Sequence, residues 1–167
     1  MLTSCEVLDG LETISAAELI SRPFPPRESI VEPWLRQEET ALIWAATGVG
    51  KTMLTLSLAI AVAGGGSLWE WRAPKPRKVW IIGGEMHLQD LQDRIRLLGS
   101  GAVKGHGWAL VGANLQITAR QSQDPDSEFC DITRMEHQDA NLEKWKRDRI
   151  ELLIIDNLST VADRVGF

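Results

Sequence analysis

The stretch Ala45-Ala46-Thr47-Gly48-Val49-Gly50-Lys51-Thr52 contains two glycines directly before a cation and a hydroxyl. The apolar run before it, residues 41–44, predicts a buried strand. The composition of residues 53–63 predicts a helix that ends at Gly64-Gly65-Gly66. Glycines can adopt the backbone angles that turn several N–H groups toward one anion. A helix start adds unpaired N–H groups and the positive end of the helix dipole, so the stretch predicts a phosphate-binding loop.

A glycine-containing loop between a strand and a helix, ending in Gly-Lys-Thr, is the P-loop context. Lys51 is expected to reach the β- and γ-phosphates of ATP, and the Thr52 hydroxyl is expected to ligate Mg²⁺. The usual pattern begins with glycine; here Ala45 opens the turn without holding phosphate directly. The predicted nucleotide-binding residues are Ala46, Thr47, Gly48, Val49, Gly50, Lys51, Thr52 and Met53. The alternative is a chance Gly-Lys-Thr in a loop, and at average residue frequencies about 1% of chains this long contain the pattern by luck.

Length, composition and charge describe an ordinary globular protein. The chain has 167 residues, of which 44% are hydrophobic and 25% charged, enough for one domain with a core. The net charge of −5 excludes a global basic field, so any contact with DNA must be local. Cys5 and Cys130 form no CxxC pattern, and the sequence has neither a signal peptide nor an apolar run long enough to span a bilayer. These features predict a cytoplasmic protein with free thiols and no membrane partner.

The chain divides into a lead-in at residues 1–33 and a domain at residues 34–167. The lead-in contains a short helix that Ser15 caps, followed by three prolines that force an extended connection. It is either a linker packed on the domain surface or a segment that flanks the adenine. In the domain, residues 68–76 predict an irregular loop. The further predicted strands are 77–82, 114–118 and 150–155, and the further predicted helices are 88–98 and 138–148. Strands that alternate with helices predict an α/β fold with a mainly parallel sheet flanked by helices.

The apolar run that ends at Asp156 is the candidate second half of the nucleotide site. In a parallel sheet, the C-terminal ends of the strands point into the ligand crevice. Asp156 is therefore expected to hold Mg²⁺, through water. The alternative is an aspartate that merely terminates a strand.

Hydrolysis also needs a group that orients or deprotonates the attacking water. The residue after Asp156 is Asn157, which cannot act as a base. Glu85 ends the strand that follows the P-loop helix, so it is expected at the same edge of the sheet. We therefore predict Glu85 as the catalytic carboxylate, together with Lys51. The alternative for Glu85 is a carboxylate that faces a helix dipole.

This combination resembles the RecA-like P-loop ATPases. Residues 45–52 are similar to their Walker A motif, residues 152–156 to their Walker B motif, and Glu85 to their catalytic glutamate. Gly84-Glu85-Met86, followed by Leu91 and Arg94, resembles the corresponding segment of DnaB-type and plasmid RepA-type helicases. The closest likeness is to the RepA-like AAA-family ATPases and covers residues 30–160. Members of this class continue beyond the Walker B strand, so the fold is expected to be incomplete at the C-terminus, in either a fragment or a shortened relative.

The resemblance implies an ATPase that acts in DNA replication or mobile-element maintenance. Its implied partners are ATP, single-stranded DNA and further copies of the chain in a ring. Two other functions stay open: a nucleotide-binding regulator without turnover, and a small-molecule kinase, although no arginine-rich lid segment is evident.

One further segment permits two interpretations. Cations at 72, 75, 77 and 78, beside tryptophans at 69, 71 and 80, are a composition able to contact nucleic acid by charge and stacking. The plainer interpretation, which we favour, is a solvated loop with some tryptophans in the core. The three histidines show no metal-ligand spacing to one another or to the cysteines, so we expect no zinc site.

Overall fold

The computed structural model describes residues 12–99, 104, 107–127 and 129–161. Cys5 and the first part of the predicted lead-in lie outside these ranges. The helices are α1 Ala16–Ser21, α2 Lys51–Gly64, α3 Leu88–Gly99, α4 Trp108–Asn114, α5 Met135–Asp148 and α6 Leu158–Val161, with a 3₁₀ turn at Arg120–Ser122. The strands are β1 Ser29–Val31, β2 Leu35–Arg36, β3 Ser67–Leu68, β4 Trp71–Arg72, β5 Val79–Gly83, β6 Leu115–Ala119 and β7 Leu152–Asp156.

The main sheet has three parallel strands in the order β6-β5-β7. Residues 79–82 of the central strand β5 are all buried, as expected for a parallel strand that is covered on both faces. Val79 and Ile81 face a core built with α2, α3 and α4. Trp80 and Ile82 face a second cluster with Ile150 and α6. Helices therefore cover both sides of a parallel sheet, which is consistent with a P-loop-like fold.

Helix α2 is the centre of the larger core. All of its residues from Leu56 to Gly64 are buried, which suits a helix with an apolar composition around most of its circumference. It ends at Gly65, whose positive φ of 70° lets the chain turn away while its N–H donates to the Ala61 carbonyl. By contrast, α3 is amphipathic. Of the apolar face that the helical spacing predicts, Leu91 and Leu98 are buried and Ile95 is partly buried, but Leu88 is exposed.

The first hairpin packs on this core, whereas α1 of the lead-in buries none of its residues. Ser15 caps α1, because its side chain accepts a hydrogen bond from the Glu18 N–H at 3.1 Å, as predicted. The antiparallel hairpin β1–β2 spans the division predicted between residues 33 and 34, and it buries Ile30, Val31 and Leu35. That division remains a prediction.

Two local predictions are wrong. Residues 41–44 form no strand: Leu42 is 76% exposed and Trp44 is 86% exposed. An apolar run forms a strand only where a neighbouring strand pairs with its backbone, and in the described structure residues 41–44 pair with no strand. The segment predicted as irregular at residues 68–76 contains part of the short hairpin β3–β4, in which Leu68 pairs with Trp71.

Candidate nucleotide-binding site

The loop before α2 has the backbone that its glycines permit. Gly48 has φ 85° and Gly50 has φ 100°, a region that L-residues rarely adopt. A Cβ at either position would meet nothing within 4 Å, so the backbone angle, rather than lack of space, is the constraint. Gly50 is the N-cap of α2 and receives no side-chain cap. The loop therefore leads directly into the N-terminus of α2, where backbone N–H groups can bind an anion.

Lys51 is turned back into the loop. Its Nζ donates to the Ala45 carbonyl at 2.6 Å and to the Ala46 carbonyl at 2.9 Å. An ammonium group has three N–H donors, so these two contacts hold the charge at the loop without using all of its donors. Phosphate oxygens are stronger acceptors for a cation than neutral carbonyls, and a nucleotide in this loop would compete for the same ammonium group.

Thr52, Glu85 and Asp156 line one small cavity. The cavity has a volume of about 40 Å³ and lies between the N-terminal end of α2 and the C-terminal ends of β5 and β7. This volume has room for at least one water molecule with polar partners. The three side chains that the sequence assigned to metal binding and water activation therefore share one site.

Strand register explains why these side chains meet. β5 and β7 are parallel neighbours, with Gly83 opposite Asp156. The Gly84 N–H then donates to the Asp156 carbonyl at 3.1 Å, which extends the ladder past the end of β5. Glu85 is the next residue, so its carboxylate emerges beside the end of β7. The sequence predicts that the Glu85 strand either neighbours the Asp156 strand or lies one strand removed from it, and the two strands are neighbours.

Asn157 is a part of the site that sequence reasoning missed. Its Nδ2 donates to Glu85 Oε1 at 2.6 Å, and its Oδ1 accepts a hydrogen bond from the Ser159 hydroxyl. In the sequence, Asn157 was considered only as a possible base and excluded. The available signal was its position directly after a strand that neighbours the Glu85 strand.

The residues present fit Mg²⁺ bound together with a nucleotide. Among the described ranges, no group of three His, Cys, Asp or Glu side chains could hold a metal ion alone. Thr52 and Asp156 supply a hydroxyl and a carboxylate, which are hard oxygen ligands, and the phosphates of a nucleotide would supply others.

A second, larger groove lies on another side of the loop. Its volume is about 440 Å³, and it is lined mainly by apolar side chains, among them Ile43, Val49, Leu54, Leu68 and Trp69. The exposed Trp69 ring contacts Trp71 edge-on, with 5.9 Å between the ring centroids, and Trp71 contacts Trp34 in the same way at 5.2 Å. The groove is thus lined both by apolar residues that precede or belong to the P-loop and by the first residues of α2.

Three of the four cations beside the tryptophans pair with acids, and the fourth, Lys78, donates from its ammonium group to the Ala113 carbonyl at 2.7 Å. Arg72 pairs with Glu32 at 3.0 Å, and Lys75 pairs with Glu28 at 2.6 Å. Arg77 is buried and contacts both Glu28 and Glu151. These contacts favour the structural interpretation of that segment over contact with nucleic acid.

Comparison with protein-family models assigns the chain to a family. The family model of the AAA domain matches residues 5–164, nearly the whole sequence. The chain belongs to this family of P-loop, nucleotide-binding ATPases. No curated protein matches the chain. Among the described residues, no helix is both long and apolar enough to cross a membrane.

Proposed function

We propose that the protein binds ATP with Mg²⁺ and hydrolyses it, as an ATPase of the RepA and DnaB type. The observation that supports this most is the single cavity shared by Thr52, Glu85 and Asp156, beside the glycine loop and Lys51. A P-loop ATPase needs a metal-binding hydroxyl and carboxylate, a phosphate-binding cation and a water-orienting carboxylate. The described residues offer a candidate for each role, and three of the candidates, Thr52, Glu85 and Asp156, line the same cavity.

Each residue has a distinct task in this proposal. The loop N–H groups and Lys51 bind the phosphates and balance their negative charge. Thr52 and Asp156 hold Mg²⁺, which supplies neutralisation of the charge that develops on the transferred phosphoryl group. Glu85 accepts a hydrogen bond from the attacking water and so orients it toward the γ-phosphate. Met53 and the other loop residues, Ala46, Thr47 and Val49, shape the phosphate-binding turn.

The cellular role follows from the sequence resemblance. We propose that the full-length protein works as a homo-oligomeric ring in the cytoplasm and acts on single-stranded DNA in replication or mobile-element maintenance. The motif segment after β5, Gly84-Glu85-Met86, is the residue pattern that supports the RepA-type assignment.

The test is to measure ATP binding and turnover by the full-length protein. Calorimetry with and without Mg²⁺ should show metal-dependent binding, and single-stranded DNA should raise the rate of phosphate release. Binding without turnover would instead favour a nucleotide-sensing regulator. Phosphate transfer to a small molecule rather than to water would indicate a kinase. Absence of ATP binding would end the proposal.

A further inference from the structure

The hydrogen bond between Asn157 and Glu85 joins the ends of two neighbouring strands. Asn157 Nδ2 donates to Glu85 Oε1 at 2.6 Å. Within the described part of the chain, no second residue donates to the Glu85 carboxylate, so Oε2 keeps its acceptor capacity. Glu85 itself is exposed and lies beyond the last residue of β5, where packing does little to fix its side chain.

A third residue binds the other end of the Asn157 amide. The oxygens of the ionised Glu85 carboxylate only accept hydrogen bonds, so the NH₂ group of Asn157 faces Glu85. The Ser159 hydroxyl, which can donate or accept, donates to Asn157 Oδ1 and adds a second contact that holds the amide in this orientation. The chain from Ser159 through Asn157 to Glu85 therefore holds a donor, rather than an acceptor, against the carboxylate.

We propose that Asn157 is a positioning residue that fixes the Glu85 carboxylate for its reaction with water. The inference rests on the proposed ATPase function, in which Glu85 orients the attacking water. With Oε1 held by Asn157, Oε2 is the oxygen left to accept a hydrogen bond from that water. A carboxylate held in one rotamer spends more time in the productive geometry, and loss of such positioning lowers the rate without removing the reacting group.

A purely structural role for Asn157 makes a different prediction. Asn157 directly precedes α6, where asparagine is a favourable N-cap. The strand ends themselves are joined by the backbone bond from Gly84 to Asp156, whether or not the side chains meet. A serine at 157 is also a favourable N-cap residue but is too short to reach Glu85, so Asn157→Ser separates capping from positioning.

The experiment measures steady-state ATP hydrolysis by the full-length wild type, Asn157→Ser, Glu85→Gln and the double variant. Asn157→Ser should lower kcat by about tenfold or more and change the KM for ATP by less than about twofold, because the lost contact serves the reaction and not nucleotide binding. On the Glu85→Gln background the same change should have no further effect, since the residue that Asn157 positions no longer acts.

Two results would overturn the positioning role of Asn157 and leave the proposed ATPase function in place. One is a kcat of Asn157→Ser within twofold of wild type while Glu85→Gln is inactive. The other is an equal further loss from Asn157→Ser on the Glu85→Gln background, which would mean independent action. A wild type without ATP turnover, or a fully active Glu85→Gln, overturns the proposed function as well, so the two failures are distinguishable.

Ser159→Ala tests the same series of hydrogen bonds, from Ser159 through Asn157 to Glu85, if Asn157→Ser does not fold. This variant keeps Asn157 and Glu85 but removes the hydrogen bond from Ser159 to the amide, so kcat should fall severalfold while the thermal midpoint stays close to wild type. An unchanged kcat in Ser159→Ala, with Asn157→Ser unfolded, would contradict the proposal.

Discussion

Gly83 of β5 lies directly opposite Asp156 of β7 in the parallel ladder. This pairing aligns the C-terminal ends of the two strands, so Glu85 and Asp156 lie at the same edge of the sheet. A slip of one residue would turn every side chain of β7 to the opposite face of the sheet. Leu152 and Ile154 of β7 pack against one core cluster, and Leu153 and Ile155 pack against the other, so such a slip would remove each pair from its cluster.

Replacement of Lys51 tests the phosphate contact. Lys51→Ala should weaken ATP binding by about 10- to 100-fold, because a hydrogen bond from a charged group contributes about 1.5–3 kcal/mol. Calorimetry on the full-length protein measures the change. Lys146→Ala is the matched control, since that lysine is exposed on α5, and it should bind ATP like wild type. Equal affinities for the Lys51 and Lys146 variants would contradict the assignment.

Replacement of Glu85 tests the water-orienting carboxylate. Glu85→Gln keeps the size of the side chain but removes its charge, so ATP should still bind while turnover falls by about 10²–10⁴-fold. Phosphate release and calorimetry measure the two quantities. Glu143→Gln, at an exposed position on α5, provides the control for loss of a carboxylate. Turnover that survives in Glu85→Gln would show that another group orients the water.

Local sequence signals were sufficient for the elements that carry the site. Each of these elements is specified by residues that are close together in the sequence. They are the glycines at 48 and 50, the apolar residues of α2 and the apolar strand that ends at Asp156. The location of Glu85 and Asp156 at a common edge of the sheet was also predictable, since parallel strands end at the same edge, but the sequence left open whether their strands are neighbours or one removed.

Other features depend on partners that are distant in sequence. The apolar composition of residues 41–44 predicted a strand, but a strand also needs an edge to pair with, and Trp44 is exposed. Arg77 was grouped with solvated cations, whereas Glu28 and Glu151 permit its burial from positions far along the chain. The contact of Asn157 with Glu85 spans 72 residues and depends on side-chain rotamers that no periodicity records.

The carboxylate of Asp148 should contribute a pH-dependent part of the stability. The hydrogen bond from Arg147 at 2.9 Å, and then that from Lys144 at 2.5 Å, lower the pKa of Asp148 from 3.8 to about 2. The Lys144 Nζ also lies 4.9 Å from the centre of the Trp80 ring, so the contact between Lys144 and Trp80 connects α5 with the sheet.

Because the folded pKa of Asp148 lies below the unfolded one, its stabilisation is complete above about pH 4 and is lost as the pH falls through about 2. Asp148→Asn should therefore lower the free energy of unfolding at pH 7, and its difference from wild type should shrink below about pH 4. Urea unfolding at a series of pH values measures this. Asp139→Asn, on the same helix, is the control. A difference between Asp148→Asn and wild type that is constant down to pH 3 or below would argue against the ion pair as its cause.

Arg77 should matter more for stability than its exposed neighbour Arg72. The Arg77 side chain is 1% exposed; it donates to Glu28 Oε2 and to the Ser29 carbonyl at 3.0 Å each, and it also pairs with Glu151. These contacts tie the hairpin β1–β2 and the residue before β7 to the start of β5.

Arg77→Met should destabilise the fold by about 2 kcal/mol, through the lost bonds and the altered packing around the former guanidinium. This is less than the largest losses seen for broken buried pairs, because water can reach both carboxylates that remain: the side chains of Glu28 and Glu151 are 52% and 36% exposed. Arg72→Met removes an ion pair whose arginine is 62% exposed, so it should cost less than about 1 kcal/mol. Denaturant unfolding of both variants gives the comparison. Equal losses in the two variants would mean that the buried Arg77 contacts add no more to stability than a surface ion pair does.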